Sequence, residues 1–322
     1  MAAGCRIQRR VTSEKIVLPG GAGLVGQNLI ARLVQRGYED LVVIDKHVAN
    51  LAVLRRLFPK VTAIEADLAQ PGTWQGSFAG ARAVVMLQAQ IGGNELGPFI
   101  RNNVTASEHV LAAMKQHDVP YLVHISSSVV ESVAVDNYST TKRDQEQLVL
   151  AAGVPCIVLR PTLMFGWFDR KHLGWLSRFM RKVPVFPIPG DGKYLRQPLY
   201  VGDFCNIIMR CLETKRTGEV LNISGVERID YVEMIRAIRD TVEARTAIVH
   251  IPYGLFKTLL DIWSKFDANP PFTSAQLAAL TAGDEFEVID WPGMFGLRPT
   301  PFQDAVRESY CDPSYSKVVL EF

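Results

Sequence analysis

The chain is 322 residues long, enough for one large domain or two ordinary ones around a sizeable core. Apolar residues at 48% and charged residues at 21% exclude a disordered, collagen-like or disulfide-stapled chain. A formal net charge of +2 provides no field that would recruit nucleic acid or an anionic membrane, so partners belong in a site.

The opening segment, MAAGCRIQRRVTSEK, is basic but lacks the apolar run of a secretory signal. No window in the chain approaches the roughly 20 apolar residues of a membrane span. Five scattered cysteines with no CxxC pair suit a reducing compartment, and the expected location is the cytoplasm. Short β-branched runs then alternate with longer helical patterns, the signature of crossover units feeding a parallel sheet. Strands are expected at Lys15 to Leu18, Leu41 to Ile44, Val61 to Ile64, Ala83 to Leu87, Tyr121 to Ile125 and Cys156 to Leu159. They are nearly all apolar, as strands covered on both faces should be. The clearest helices are Leu24 to Gln35, Pro98 to Gln116 and Tyr138 to Ala152, the last opening on Asp136 and Asn137 as caps.

After Phe165 the texture changes. Pro184, Pro187, Pro189, Gly190 and Gly192 crowd a stretch that no long helix tolerates. Helices are expected at Val201 to Glu213, Tyr231 to Glu243, Tyr253 to Phe266, Ser274 to Ala282 and about Phe302 to Tyr310. The division expected is a dinucleotide-binding domain over 13–166 and a smaller substrate-binding region over 167–322, with part of 197–224 returning to the first.

Directly after the first expected strand comes PGGAGLVG, where Gly20, Gly23 and Gly26 form GxxGxxG. Such glycines permit a tight turn, close approach of backbone to pyrophosphate, and tight contact between helix and strand. The helix beginning at Leu24 and Val25 points its positive end at the phosphates. Asp45 closes the second strand 19 residues after Gly26, near the spacing expected of a carboxylate that binds ribose hydroxyls. That carboxylate repels a ribose phosphate and favours NAD; Lys46 and His47 follow at once and soften the preference, so NADP stays open. Asp67, after the third strand, either reaches the adenine amino group or caps the following segment.

The fifth strand runs into Ser126, Ser127 and Ser128, and ten residues after Ser128 stands YSTTK. Tyr138 and Lys142, four apart, share one helical face. A nearby ammonium favours tyrosinate and lowers the phenol from its ordinary pKa of about 10. The phenol then exchanges a proton with a substrate oxygen held by a serine, while a nicotinamide exchanges hydride with the same carbon.

Together these residues resemble the short-chain dehydrogenase/reductase superfamily, in particular its extended branch of NAD-dependent epimerases and dehydratases. PGGAGLVG stands for the family's TGGxGxxG, with Pro19 in place of threonine, and Tyr138 and Lys142 for its YxxxK. The resemblance implies a Rossmann-type α/β fold, a doubly wound parallel sheet with a smaller C-terminal substrate-binding region. It implies Ser128 as the strand-end serine, with Ser127 and Ser126 as alternatives, and Leu87 and Asn103 (in NVTAS) beside the cofactor. Arg160 of RPTLMFG and Arg196 of RQPLYVGDF match motif arginines and are expected to bind substrate, Arg196 at the diphosphate of a nucleotide sugar. Asp203 begins a helix. VMLQAQ departs from the family's usual VIHLAA, and the interval from Ser128 to Tyr138 is shorter than in most sugar-nucleotide epimerases. The expected function is therefore an NAD-dependent epimerase, dehydratase or 4-keto reductase of a nucleotide sugar, working as a homodimer. Two alternatives stand beside it: a ketoreductase or dehydrogenase of an apolar molecule such as a sterol or flavonoid, and a dinucleotide-binding scaffold without turnover.

Six histidines show no metal-ligand spacing, so no metal is expected. His124, in the fifth strand, reads as a satisfied buried or sheet-edge histidine. The segment GWFDRKHLGWLSRFMRK, rich in Trp, Phe, Arg and Lys, reads as a substrate lid, a helix docked on the core, or a membrane-surface helix.

Overall fold

The structure is a computed structural model that describes residues 13–132, 136–263, 265–266, 274–282 and 288–321. The basic start through residue 12, with Cys5, lies outside the described residues. In chain order the first half contains β1 (Ile16–Pro19), α1 (Leu24–Gln35), β2 (Leu41–Asp45), α2 (Val48–Leu57), β3 (Thr62–Glu65), β4 (Ala83–Met86), α3 (Leu96–Phe99), α4 (Ala106–Gln116), β5 (Leu122–Ile125), α5 (Asn137–Ala151) and β6 (Cys156–Pro161). There follow β7 (Met164–Phe165), α6 (His172–Met180), β8 (Val185–Pro189), β9 (Leu195–Arg196), β10 (Leu199–Tyr200), α7 (Val201–Thr214), β11 (Glu219–Ile223), β12 (Ile229–Asp230), α8 (Tyr231–Thr241), β13 (Ala247–Ile251), α9 (Tyr253–Trp263), α10 (Ser274–Ala282), α11 (Trp291–Phe295) and α12 (Phe302–Cys311).

Seven parallel strands make the central sheet in the order β11-β6-β5-β4-β1-β2-β3. Reading outward from β1, the chain steps one way to β2 and β3 and the other way to β4, β5 and β6. This reversal opens a crevice at the carboxyl ends of β1 and β4, where such sheets bind ligands. Strand residues alternate between two cores. Ile16, Leu18, Val43, Val85, Val123 and Leu159 face one side, and Val17, Ile44, Val84, Met86, Leu122 and Val158 face the other. That two-sided burial is why the strands read as continuous apolar runs. The seventh strand, β11, comes from the second half of the chain, and α7 packs on α1.

The expected helix from Pro98 to Gln116 is divided: α3 gives way to a π-helical turn over Ile100–Thr105 before α4 begins. Asn103 explains the interruption. It is fully buried, and its side chain bonds Gln90 N–H at 2.6 Å and Thr141 Oγ1 at 3.0 Å, which ties the helix to two neighbouring segments. The aromatic and basic segment after Gly166 sits mainly on the core. Trp167 and Phe168 are buried, Arg178 donates to the carbonyls of Asp169 and Arg170, and of the four aromatic rings only Trp175, stacked on Phe179, is exposed. Arg32 on α1 fastens this region to the sheet. It lies 4.2 Å over the Trp167 ring and bonds Tyr200 at 2.8 Å and Glu308 at 2.9 Å.

Candidate active site

At the crevice, backbone geometry dictates two of the three motif glycines. Gly20 has φ +74°, and a Cβ there would stand 2.4 Å from the Gln88 backbone. A Cβ on Gly26 would lie 2.3 Å from the Gly21 carbonyl oxygen, so that position fixes how closely α1 meets its own turn. Gly23 differs. It is the N-cap of α1 with no side-chain cap, and a Cβ there would meet only Gly20 O, at 3.6 Å. The first turn of α1 holds no acidic residue, so an uncapped, positive helix end faces open space beside the turn. Leu24 and Val25 begin the helix half-buried, and Leu87 N–H bonds Pro19 O at 2.9 Å, which holds β4's end against this loop.

Asp45 ends β2 with one carboxylate oxygen on Ala22 N–H and the other on His47 N–H, both at 3.0 Å. Burial raises its pKa, and those donors restrain the rise. Each oxygen keeps a lone pair for a ribose hydroxyl. Lys46 is drawn aside to Asn102 at 2.6 Å, and His47 caps α2. Asp67 resolves in a way the sequence left open. It accepts Ala69 N–H at 3.0 Å, as a cap does, and pairs with Arg101 at 2.8 Å. Burial pushes its carboxyl up, but Arg101, Ala69 N–H and Lys46 outweigh that and hold it below the ordinary range. The cradle fits a dinucleotide: an open glycine position for pyrophosphate and a carboxylate for ribose.

Behind the crevice, Asp136 caps α5 by accepting Ser139 N–H at 2.7 Å. This sets Tyr138 in the first turn, against the loop that follows β5. Ser127 is the serine whose side chain acts on the Tyr138 phenol, while Ser128 begins a short 3-10 turn over Ser128–Glu131. Ser126, the third alternative, donates to Glu146 at 2.6 Å. The expected lowering of the phenol by Lys142 is not what this geometry gives. Burial raises Tyr138, the Ser127 bond moderates the rise, and Asp136 adds to it. Lys142 Nζ instead donates to Ile125 O at 3.0 Å and to Gln145 Oε1. It is 1% exposed, and burial brings it down to about 7 against an opposing pull from Glu146.

Three further expectations need correction. Asn103 spends its side chain on Gln90 and Thr141 and so braces the site from inside the protein rather than from the cofactor crevice. Arg160 is spent as well. Its guanidinium grips Glu146 with two nitrogens and Glu131 at 2.6 Å with the third, and Glu131 also accepts Asn222. Three of its five N–H donors are thus held by carboxylates of the protein itself. His124 is wholly buried, and neither ring nitrogen has a partner among the described residues. Burial, with Lys142 nearby, keeps it neutral. Arg196 leaves the β9–β12 pair beside the stacked rings of Tyr194 and Tyr231 and donates to Leu280 O at 2.7 Å.

A serine, a half-buried tyrosine and an enclosed amine beside a dinucleotide cradle on a doubly wound sheet suit pyridine-nucleotide chemistry. The model of the NAD dependent epimerase/dehydratase family matches residues 16–224, and the chain belongs to that family. It is similar to an uncharacterized UDP-glucose epimerase, YtcB, of Bacillus subtilis, with 26% identity over 73% of this chain and 84% of that protein. It is also similar to the ceramide reductase of Caulobacter vibrioides, with 23% identity over 79% of this chain and 80% of the relative. Among solved structures, the UDP-glucuronic acid 4-epimerase of Bacillus cereus in complex with NAD shares the fold, with TM-score 0.69 and 20% identity over 92% of this chain and 97% of that one.

Proposed function

We propose that the protein is an NAD-dependent oxidoreductase of the epimerase/dehydratase type whose substrate is a nucleotide-activated sugar. The observation that carries this reading is that the open Gly23 turn, after β1, and Ser127 with Tyr138, after β5, stand at the carboxyl ends of strands in the same central sheet. Gly20, Gly23 and Gly26 would hold the pyrophosphate of NAD, with Leu24 and Val25 lining it, and Asp45 the ribose. When bound, the nicotinamide supplies the hydride acceptor and donor. Ser127 orients the substrate oxygen, and the Tyr138 phenol, kept protonated by burial, gives its proton to that oxygen as hydride reaches the carbon and takes it back as the carbonyl re-forms. Lys142, with two of its three donors spent inside the protein, offers the third to a ligand hydroxyl. Arg196 beside Tyr194 and Tyr231 receives the nucleotide diphosphate. Hydride returned to the same carbon on the opposite face makes the enzyme an isomerase. Similarity to the UDP-glucose epimerase supports the sugar-nucleotide substrate. In this reading the enzyme works as a homodimer in the cytoplasm; no helix among the described residues is long and apolar enough to cross a membrane.

A second reading keeps the chemistry and takes an apolar keto or hydroxy compound as substrate. Two observations favour it: Arg196 is turned onto α10 through Leu280 O, and one relative reduces ceramide. Thermal-shift titration of the NAD-loaded protein with UDP-, GDP- and dTDP-sugars tests the choice. A rise in Tm with one nucleotide sugar supports the first reading. No rise with any of them, together with oxidation of NADH by a long-chain ketone, overturns it.

A further inference from the structure

Lys142 is held by a residue whose role nothing in the motif announces. Gln145 lies one turn along α5 and is fully buried. Its Oε1 accepts from Lys142 Nζ, while its Nε2 donates to Ser107 Oγ at 2.8 Å and to the Gln88 carbonyl at 3.4 Å. Ser107 donates its own proton to Asn103 O at 2.6 Å, so only its lone pairs face Gln145. The amide therefore cannot turn over without aiming its own N–H groups at an ammonium, taking its donor from the Gln88 carbonyl and leaving Ser107 Oγ only the longer bond from Gln88 Nε2 at 3.3 Å.

We infer that Gln145 is a positioning residue: oriented by Ser107 and the Gln88 carbonyl, it pins the Lys142 amine to the carbonyl end of β5, one helical turn from Tyr138. The inference rests on the reading of Lys142 as part of the reacting group. Two titratable groups act on the amine besides Gln145. Glu146 on α5 is already engaged by Arg160 and Ser126, and His124 on β5 is neutral. The neutral Gln145 carbonyl is the acceptor closest to Nζ, so exchanging it for a hydrocarbon or a carboxylate moves the amine's titration in opposite directions.

The test is an NMR titration of biosynthetically ¹³C-labelled lysine in the full chain, with Lys142 assigned by its disappearance in Lys142→Met. The wild-type signal is expected to titrate near pH 7. Gln145→Leu should move the midpoint down by about one unit or more, and Gln145→Glu up by at least about as much. If Gln145→Leu does not fold, Ser107→Ala takes its place, with a smaller shift of the same sign. Midpoints unchanged in all variants would overturn the inference. Fluorescence titration with NADH separates it from the reading beneath: Lys142→Met binding NADH and turning over like wild type would sink the role of Lys142 while leaving the Gln145 coupling intact.

Discussion

Two glycines three residues apart should respond oppositely to the same added methyl. In Gly26→Ala the new Cβ meets Gly21 O at 2.3 Å and Gly21 C and Cα at 2.6 Å, all backbone atoms that cannot swing aside. Overpacking of that kind costs about 1–3 kcal/mol, which in a protein of this size lowers Tm by roughly 2–10 °C. Gly23→Ala meets only Gly20 O at 3.6 Å, and at φ −78° and ψ −177° alanine is unstrained. The chain entropy removed from the unfolded state stabilises by about 0.4–1 kcal/mol, and the poorer N-cap costs a similar amount, so Tm should hardly move. The methyl nevertheless occupies the space assigned to pyrophosphate. NAD affinity should fall by about tenfold or more, equivalent to roughly 1.4 kcal/mol. Differential scanning fluorimetry and calorimetric titration with NAD⁺ read the two effects separately. A folded Gly23→Ala variant that binds NAD⁺ as tightly as wild type would refute the cradle.

Tyr138→Phe should retain NAD binding and lose about 10²–10⁴-fold in turnover, measured by coupled spectrophotometry. Ser127→Ala should fall with it while Ser128→Ala stays within a few fold, because Ser127 is the serine that acts on the phenol; equal losses would reassign the serine. Arg32→Met should lower stability by about 2–4 kcal/mol in urea unfolding, since it strips Tyr200, Asn28 and Glu308 of a shared buried donor. Burial raises Asp169 to about 7, against backbone donors from Gly174 and Lys171. Its folded pKa thus exceeds its unfolded one, and the folded state binds the extra proton between about pH 4 and 7, so this contribution to stability is present at low pH and lost as pH rises through 7. Asp169→Asn should gain Tm relative to wild type on going from pH 5 to pH 8; a constant difference would show that the carboxyl is ionised throughout.

The sheet was legible because β1, β2, β4, β5 and β6 are buried on both faces and carry no competing pattern, and the partly exposed β3 still shows a short β-branched run. All six expected strands form within two residues of their predicted limits, and α1 and α5 begin at the expected turn and cap. The return of part of 197–224 to the dinucleotide-binding domain was expected, but the seventh strand it supplies, Glu219–Ile223, was not. Its partly exposed residues and place after a long interruption leave a weak local signal, and only pairing with β6 makes it a strand. The break at Ile100–Thr105 was equally invisible, since helical periodicity does not record that Asn103 must reach both Gln90 and Thr141. Within the site, spacing located Tyr138 and Lys142 but not their partners. Four-residue separation puts two side chains on one face without saying which way a long amine extends, and here desolvation and the Ile125 and Gln145 acceptors decide. Ser127 and Ser128 are indistinguishable in a run of three serines until the backbone turns. Arg160 resembled a ligand residue only while Glu131 and Glu146, distant in sequence, were unknown as its partners.

The most direct test is a crystal structure of the full chain grown with NAD⁺. The account predicts pyrophosphate over Gly23 at the start of α1, ribose hydroxyls on Asp45, and the nicotinamide ring within roughly 3–4 Å of the Tyr138 hydroxyl, close enough for proton and hydride to move at one substrate carbon. A dinucleotide bound elsewhere, or a ring lying far from Tyr138 with the phenol still enclosed by protein, would contradict it.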